Sequence, residues 1–285
     1  MNRMRTLVVA VIVIALLASA CGLGGNGPRD GGIDHPTGSD ELVLRVEIVG
    51  GFVPVDYTLR ALPGMSLYGD GRLVVEGPVI EIYPGPALPN LQVTRLSEEA
   101  VAAILEAAQA AGLMDGDATY DYPCVADAGT TRFTVVADGR TSVVSAYALG
   151  FEDGGGCGGD VDTGARAALA DFQAKLGGLR GWLPDGSIGR EETYVPTEMR
   201  VYVQSYRGEP ELPQPPIEWP LEPGLDAFGE AVEVLPEARC GLVSGEDLSS
   251  VLADAAGANQ LTPWTTGTLE FALMFRPLLP DEHGC

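Results

Sequence analysis

The chain begins with a short basic segment that leads into an unbroken apolar run. Arg3 and Arg5 precede residues 7–20, whose sequence is LVVAVIVIALLASA. A helix that crosses a bilayer needs about 20 apolar residues, whereas the core of a secretory signal peptide needs roughly 7 to 15. We therefore predict that residues 1–20 are a signal peptide and that the rest of the chain folds outside the cytoplasm.

The residues around Cys21 give this leader a more specific interpretation. The small residues Ala18, Ser19 and Ala20 precede the cysteine. This arrangement resembles the lipobox of bacterial lipoproteins, in which the cysteine is acylated (palmitate is one such chain) and the leader is cleaved. The resemblance implies that Cys21 is the lipid attachment site and that the protein is anchored to the outer face of the cell membrane. Cleavage after Ala20 to release a soluble protein, and an uncleaved anchor, are the alternatives.

A glycine-rich segment follows Cys21. Residues 22–40 contain seven glycines and hardly any large apolar side chain. Such a segment buries too little surface to offset the entropy lost on ordering. We therefore predict that residues 21–40 form a flexible tether between the lipid and a folded body.

Charge excludes one class of partner. The chain has 17 Lys and Arg residues against 40 Asp and Glu residues, a formal net charge of −23. A body this negative repels phosphate backbones and anionic lipid headgroups. We expect no binding to nucleic acid, and contact with the membrane through the lipid alone.

Four cysteines remain after Cys21: Cys124, Cys157, Cys240 and Cys285. An even number in an exported protein indicates two disulfides, for which three pairings exist. We favour the pairing of neighbours, Cys124–Cys157 and Cys240–Cys285, because it gives one bridge to each half of the chain. A metal site is the weaker alternative, since the sequence has no C-x-x-C motif.

Alternating apolar residues predict strands in both halves. Residues 41–51 and the PVIEIYP segment at 78–84 have this character. Asp70-Gly71 and Asp138-Gly139 each separate two short apolar runs, and Asp-Gly is typical of a type I′ hairpin turn. We therefore predict antiparallel hairpins at both positions.

Three segments have helical periodicity. Residues 97–112 carry an apolar stripe behind the N-cap residue Ser97, and residues 162–179 direct Leu169, Phe172 and Leu176 inward. Residues 243–258 repeat the stripe of the first helix. Apolar residues at i, i+3, i+4 and i+7 form one face of a helix.

Together these elements predict an α+β fold of two small domains, each with antiparallel strands packed on one or two helices. The first domain covers residues 41–178 and the second covers 197–285, with a connector at 179–196. A strand, a Ser-capped helix and a strand occur in both halves. A degenerate internal duplication and chance recurrence of Ala- and Leu-rich helices both explain this order.

Residues 57–147 also resemble a small uncharacterised domain of bacterial lipoproteins and other exported proteins. The matching features are Tyr57, the Asp70-Gly71-Arg72 turn, the helix behind Ser97 and the Asp138-Gly139-Arg140 turn. These are structural motifs, and the resemblance implies no activity.

The histidines give little support for nucleophilic catalysis. His35 lies in the predicted tether and His283 is the third residue from the end. A Ser-His or Cys-His mechanism needs a base held about 3 Å from its nucleophile by a rigid shell. We therefore assign no catalytic residue and no cofactor. An enzyme that uses two carboxylates on a polysaccharide or peptide is harder to exclude, and Trp182, Trp219 and Trp264 could line its cleft.

The proline-rich loop at residues 208–224 is the segment best suited to recognition. Pro215 and Pro216 favour an extended backbone, and Trp219 could serve as an anchor for a partner. A stiff cover over the second domain is the alternative. We predict a non-enzymatic binding or structural module for an envelope protein or small ligand. A carboxylate-dependent hydrolase and a protease-inhibitor-like module remain alternatives.

Overall fold

Two β-sheets and the helices packed on them form the body of this computed structural model, which describes residues 32–151 and 161–285. The first half contains β1 (Leu42–Val49), α1 (Val55–Arg60), β2 (Met65–Tyr68), β3 (Arg72–Glu76), β4 (Leu91–Leu96), α2 (Glu98–Ala110), β5 (Ala118–Tyr120), β6 (Thr130–Ala137) and β7 (Arg140–Tyr147). The second half contains α3 (Thr163–Gly177), a 3₁₀ turn (Leu179–Gly181), β8 (Ile188–Thr193), β9 (Glu198–Ser205), β10 (Ile217–Glu218), β11 (Glu230–Val232), β12 (Leu235–Ser244), α4 (Gly245–Ala255), β13 (Trp264–Thr266) and β14 (Leu269–Pro277). The predicted α+β class is confirmed.

The first sheet has eight strands in the order β5-β7-β6-β1-β2-β3-β4-β8. All neighbours are antiparallel except β5 and β7, which are parallel. Helices α2 and α3 cover one face of this sheet. The core between them includes Leu44, Ile104, Phe133 and Phe172, all of which are buried.

The second sheet has six strands in the order β10-β13-β14-β9-β12-β11. Helix α4 packs on it through Leu248 and Val251. The core also contains Trp264, whose ring centroid lies 5.4 Å from that of Phe275 in an edge-on arrangement. Such edge-on aromatic contacts add to the stabilisation that burial alone provides.

The two halves of the chain do not separate into two domains. Ile33–Cys285 form one compact unit. Strand β8, in the predicted connector, pairs with β4 as the last strand of the first sheet. Leu279, which follows the last strand of the second sheet, packs with Tyr68 and Tyr194 in a third apolar cluster. The predicted boundaries at 178 and 197 therefore cut through shared structure.

The predicted helices agree with the structure. Ser97 caps α2, because its hydroxyl oxygen accepts a hydrogen bond of 3.3 Å from the Ala100 N–H. Leu169, Phe172 and Leu176 of α3 are buried as expected. No helix within the described ranges is long and apolar enough to cross a membrane.

Both Asp-Gly hairpins are present, but their turns differ. Asp138 and Gly139 have positive φ angles of 49° and 69°, which a type I′ turn requires. At the other hairpin only Gly71 has a positive φ, of 82°. A Cβ at Gly71 would lie 2.6 Å from the carbonyl oxygen of Leu96, so this turn packs closely against the end of β4.

The last part of the predicted tether is ordered, which corrects the prediction for residues 33–40. Ile33 packs against the first core. The side chain of His35 is only 2% exposed, and its Nε2 lies 3.1 Å from the Glu98 carboxylate. Sequence composition did not predict this docking, because it depends on contacts with distant residues, such as the hydrogen bonds of Asp34 with Asp138 and of Ser39 with Arg72. Residues 21–31, including Cys21, lie outside the described residues.

One predicted disulfide is confirmed. Cys240 and Cys285 are bonded, with their Cα atoms 6.0 Å apart. Cys124 is also disulfide-bonded. Its predicted partner, Cys157, lies outside the described residues, so the pairing Cys124–Cys157 stays a prediction.

Candidate functional site

The side chain of Trp219 is buried and is not accessible to a binding partner. Trp219 is 6% exposed, and its ring packs edge-on against Trp264 and Phe228 with centroids 6.1 and 5.3 Å away. This corrects the prediction of Trp219 as a surface anchor. Pro215 and Pro216 are exposed as expected. Because Trp219 and Trp264 fill the second core, they do not line a sugar cleft either.

A large concave surface lies on the first sheet, where β1 ends. We call it the apolar groove, and its volume is about 910 Å³. Seven of the fifteen large hydrophobic side chains that the described residues expose line this groove. They are Ile48, Phe52, Val53, Tyr57, Val79, Ile80 and Ile82.

One wall of the apolar groove is the end of β1 and the loop that follows it. Gly50 and Gly51 have φ angles of 70° and 83°, which only glycine adopts readily. These two residues turn the chain out of the strand and present Phe52, which is 89% exposed. The Phe52 N–H donates to the carbonyl of Asp127 at 3.2 Å, so the loop is held in this position.

The opposite wall is the loop of residues 77–90, where a strand was predicted at 78–84. That prediction is wrong, because the segment lies outside both sheets. Pro78 and Pro84 bracket it and cannot donate backbone hydrogen bonds. The far side of the loop is attached elsewhere: the Ala87 N–H donates to Ala258 at 3.1 Å, and the Gln260 N–H donates to Gly85 at 2.9 Å.

The groove exists because β2 is short. Strand β1 pairs with β6 as far as Val49–Thr130, but its pairing with β2 ends at Val46–Met65. In the described structure, Glu47, Ile48 and Val49 therefore have a neighbouring strand on one side only. Beyond the last pair between β1 and β2, Ala61, Leu62 and Gly64 line the groove together with the end of β1.

The charged residues at the groove are mainly acidic. Glu47, Glu76 and Asp127 line it, together with Arg60. Glu47 accepts from Arg132 at 3.3 Å. The guanidinium of Arg60 lies 5.9 Å from the centre of the Tyr57 ring. The apolar surface is thus edged by a modest negative charge.

A buried polar cluster joins β1 and β2 to the C-terminal segment. Asp281 accepts from Arg45 at 2.7 Å and from the hydroxyl of Tyr68 at 2.8 Å. Burial lowers the pKa of Arg45, but the hydrogen bond and charge of Asp281 reverse this effect, so that the pKa is raised overall. Burial, followed by the charge of Asp281, raises the pKa of the Tyr68 phenol, which stays protonated. Each group has a structural partner.

Glu282 forms the second half of this cluster. Its two carboxylate oxygens each accept from Arg276 at 2.7 Å. Burial opposes ionisation of Glu282, but the hydrogen bond and charge of Arg276 and the Leu279 N–H together hold its pKa below the ordinary value. The Nε of Arg276 donates to Ala61 at 3.1 Å, which fixes the end of α1 beside the groove.

Tyr194 lies close to the same cluster. Its hydroxyl donates to the Leu278 carbonyl at 2.8 Å. Burial raises the pKa of Tyr194 to about 12, with Arg72 opposing the shift and Glu282 and Asp281 adding to it. The hydrogen bonds of Tyr194 to Leu278 and of Arg45 to Asp281 join the C-terminal segment to the first sheet.

A smaller cavity of about 580 Å³ lies on the second sheet. Charged and polar side chains, including Asp56, Arg207 and Glu237, take part in its lining. The described residues contain no group of three or more His, Cys, Asp or Glu side chains arranged to hold a metal ion. The apolar groove is the stronger candidate for a binding site, because it is larger and is lined by more exposed hydrophobic side chains.

Comparisons with known proteins give no match: no family model, no curated protein and no solved structure is similar to this chain. The resemblance of residues 57–147 to an exported domain stays a prediction.

Proposed function

We propose that this protein is a lipoprotein on the outer face of the cell membrane and that it acts as a non-enzymatic binding module. The apolar groove is its site for an elongated, mainly apolar ligand. One observation carries the proposal: nearly half of the large exposed hydrophobic side chains in the described structure surround this one groove. Contiguous exposed apolar surface is typical of sites that bind partners or ligands.

The sequence supports the location. The leader at residues 1–20, the small residues before Cys21 and a bridged cysteine pair all fit an acylated protein in an oxidising compartment. Multiple acyl chains give firm anchoring, whereas one chain gives only marginal binding. The net charge of −23 leaves the lipid as the main contact with the membrane.

Titration with the neutral apolar dye Nile red tests the proposed site. A neutral dye avoids repulsion by the acidic body. In a protein that carries Cys21→Ser, to prevent acylation, we expect saturable binding with increased fluorescence. Phe52→Ser combined with Ile80→Ser should weaken that binding at least tenfold, because both side chains line the groove.

The matched control is Val234→Ser combined with Leu242→Ser, since these side chains are also exposed but lie away from the groove. The control should bind the dye with unchanged affinity. Equal binding by both double variants would contradict the proposed site.

A further inference from the structure

We infer that the apolar groove takes an extended peptide segment of a partner protein, which adds a strand to the first sheet along β1. This inference rests on the proposed function and names the ligand class. The peptide would lie beside the end of β1, past the last pair between β1 and β2.

The free side of β1 is the first argument. Glu47, Ile48 and Val49 pair with β6 but extend beyond the last β2 pair, Val46–Met65. Successive residues of an antiparallel strand direct their N–H and C=O groups alternately to the two sides. Part of this three-residue segment therefore presents backbone donors and acceptors to the groove, as the sheet edges that accept added strands do.

The opposite wall supplies the second argument. Among the described residues, the one backbone hydrogen bond made by the N–H groups of residues 79–83 is from Ile82 to Ile80, at 2.9 Å. Val79, Ile80 and Ile82 are between 56% and 73% exposed. Free backbone N–H groups beside exposed β-branched side chains give an inserted peptide a second surface to contact.

The position of the groove along β1 follows from contacts near the start of the described chain. The described chain begins beside the turns that precede β3 and β7, where Asp34 contacts Asp138 and Ser39 accepts from Arg72. β1 starts near these contacts and runs 8 residues to the groove, about 26 Å at the usual rise of a strand. The groove thus lies at the opposite end of β1 from residues 33–40.

Backbone chemistry favours a peptide over an acyl chain. A fatty acyl chain would cover the free backbone groups of β1 without forming hydrogen bonds to them, which is costly. A peptide strand satisfies them. Because Glu76 and Asp127 line the groove, the preferred peptide has alternating β-branched residues and a basic residue near an end.

The test uses the synthetic peptide Lys-Val-Thr-Val-Thr-Val-Lys and the Cys21→Ser protein, with binding measured by calorimetry. We expect saturable binding that Nile red competes with. N-methylation of alternate peptide amides, in one of the two possible registers, should weaken binding at least tenfold because it removes the donors that face β1. Glu76→Lys should also weaken binding, whereas the exposed control Glu233→Lys should not.

Two results would overturn the inference. If the peptide does not bind, or if both N-methylated forms bind as well as the parent, while Nile red still fills the groove, then the groove takes an apolar ligand that is not a strand. That outcome leaves the proposed function intact. If neither the dye nor the peptide binds, both the proposed function and this inference are wrong.

Discussion

At the scale of residues, the cluster of Arg45, Tyr68 and Asp281 does most to fix the C-terminal segment on the first sheet. The sequence places Asp281 more than 200 residues from its two partners. No local pattern predicts such a contact, because it depends on where the C-terminal segment docks. The buried Arg166 on α3 is a similar case: its guanidinium donates to the carbonyls of Tyr120 and Ala148.

Asp281→Ala tests this cluster. It leaves the charge of Arg45 without its carboxylate partner in a site where the Arg45 side chain is only 14% exposed. We expect a loss of about 3 kcal/mol in the free energy of unfolding, measured by urea denaturation. Asp171→Ala, on an exposed position of α3, should change it by no more than about 0.5 kcal/mol. Equal losses of unfolding free energy in the two variants would show that the Asp281 carboxylate stabilises the fold no more than an exposed carboxylate does.

Glu282 gives a prediction for pH. Its pKa is lowered from an ordinary value of 4.5 in the folded state. The stability it contributes is therefore complete above the unfolded pKa and is lost as the pH falls through the folded pKa. We expect the difference in unfolding free energy between wild type and Glu282→Gln to shrink as the pH falls below about 4.5. A constant difference for Glu282→Gln would contradict the assigned role.

At the scale of elements, local patterns predicted helices α2, α3 and α4, missed α1 and predicted one strand wrongly. The stripe and Ser97 cap of α2 and the two Asp-Gly hairpins depend on neighbouring residues. The segment at 78–84 has strand-like residues, but two prolines and the attachment of Ala87 to Ala258 keep it out of the sheet. The apolar groove was not predicted, because it arises from the register at which β2 ends.

The bridge between β12 and the C-terminus provides a prediction at this scale. Cys240 and Cys285 are separated by 45 residues. The loop entropy that the bridge removes from the unfolded state corresponds to about 4 kcal/mol. The variant with both residues changed to Ser should lose about that much stability in urea denaturation. A loss below about 1 kcal/mol would show that polar contacts such as Arg200–Gly284 hold the C-terminus alone.

For the protein as a whole, we propose a lipid anchor at Cys21 and a binding groove at the end of β1. The anchor is tested by Cys21→Ser. We expect the wild type in the membrane fraction, with an acylated N-terminal cysteine detected by mass spectrometry, and the variant without that modification. Asp171→Ala is the control and should stay in the membrane fraction. An unmodified wild-type protein recovered from the soluble fraction would contradict the anchor.

The most direct test of the central claim is amide hydrogen exchange with and without saturating Nile red. Exchange measured by mass spectrometry reports which backbone segments the ligand covers. The account predicts slower exchange in residues 47–53 and 77–83 and no change in residues 230–244. Protection confined to the smaller cavity at residues 204–208, or no protection at all, would contradict it.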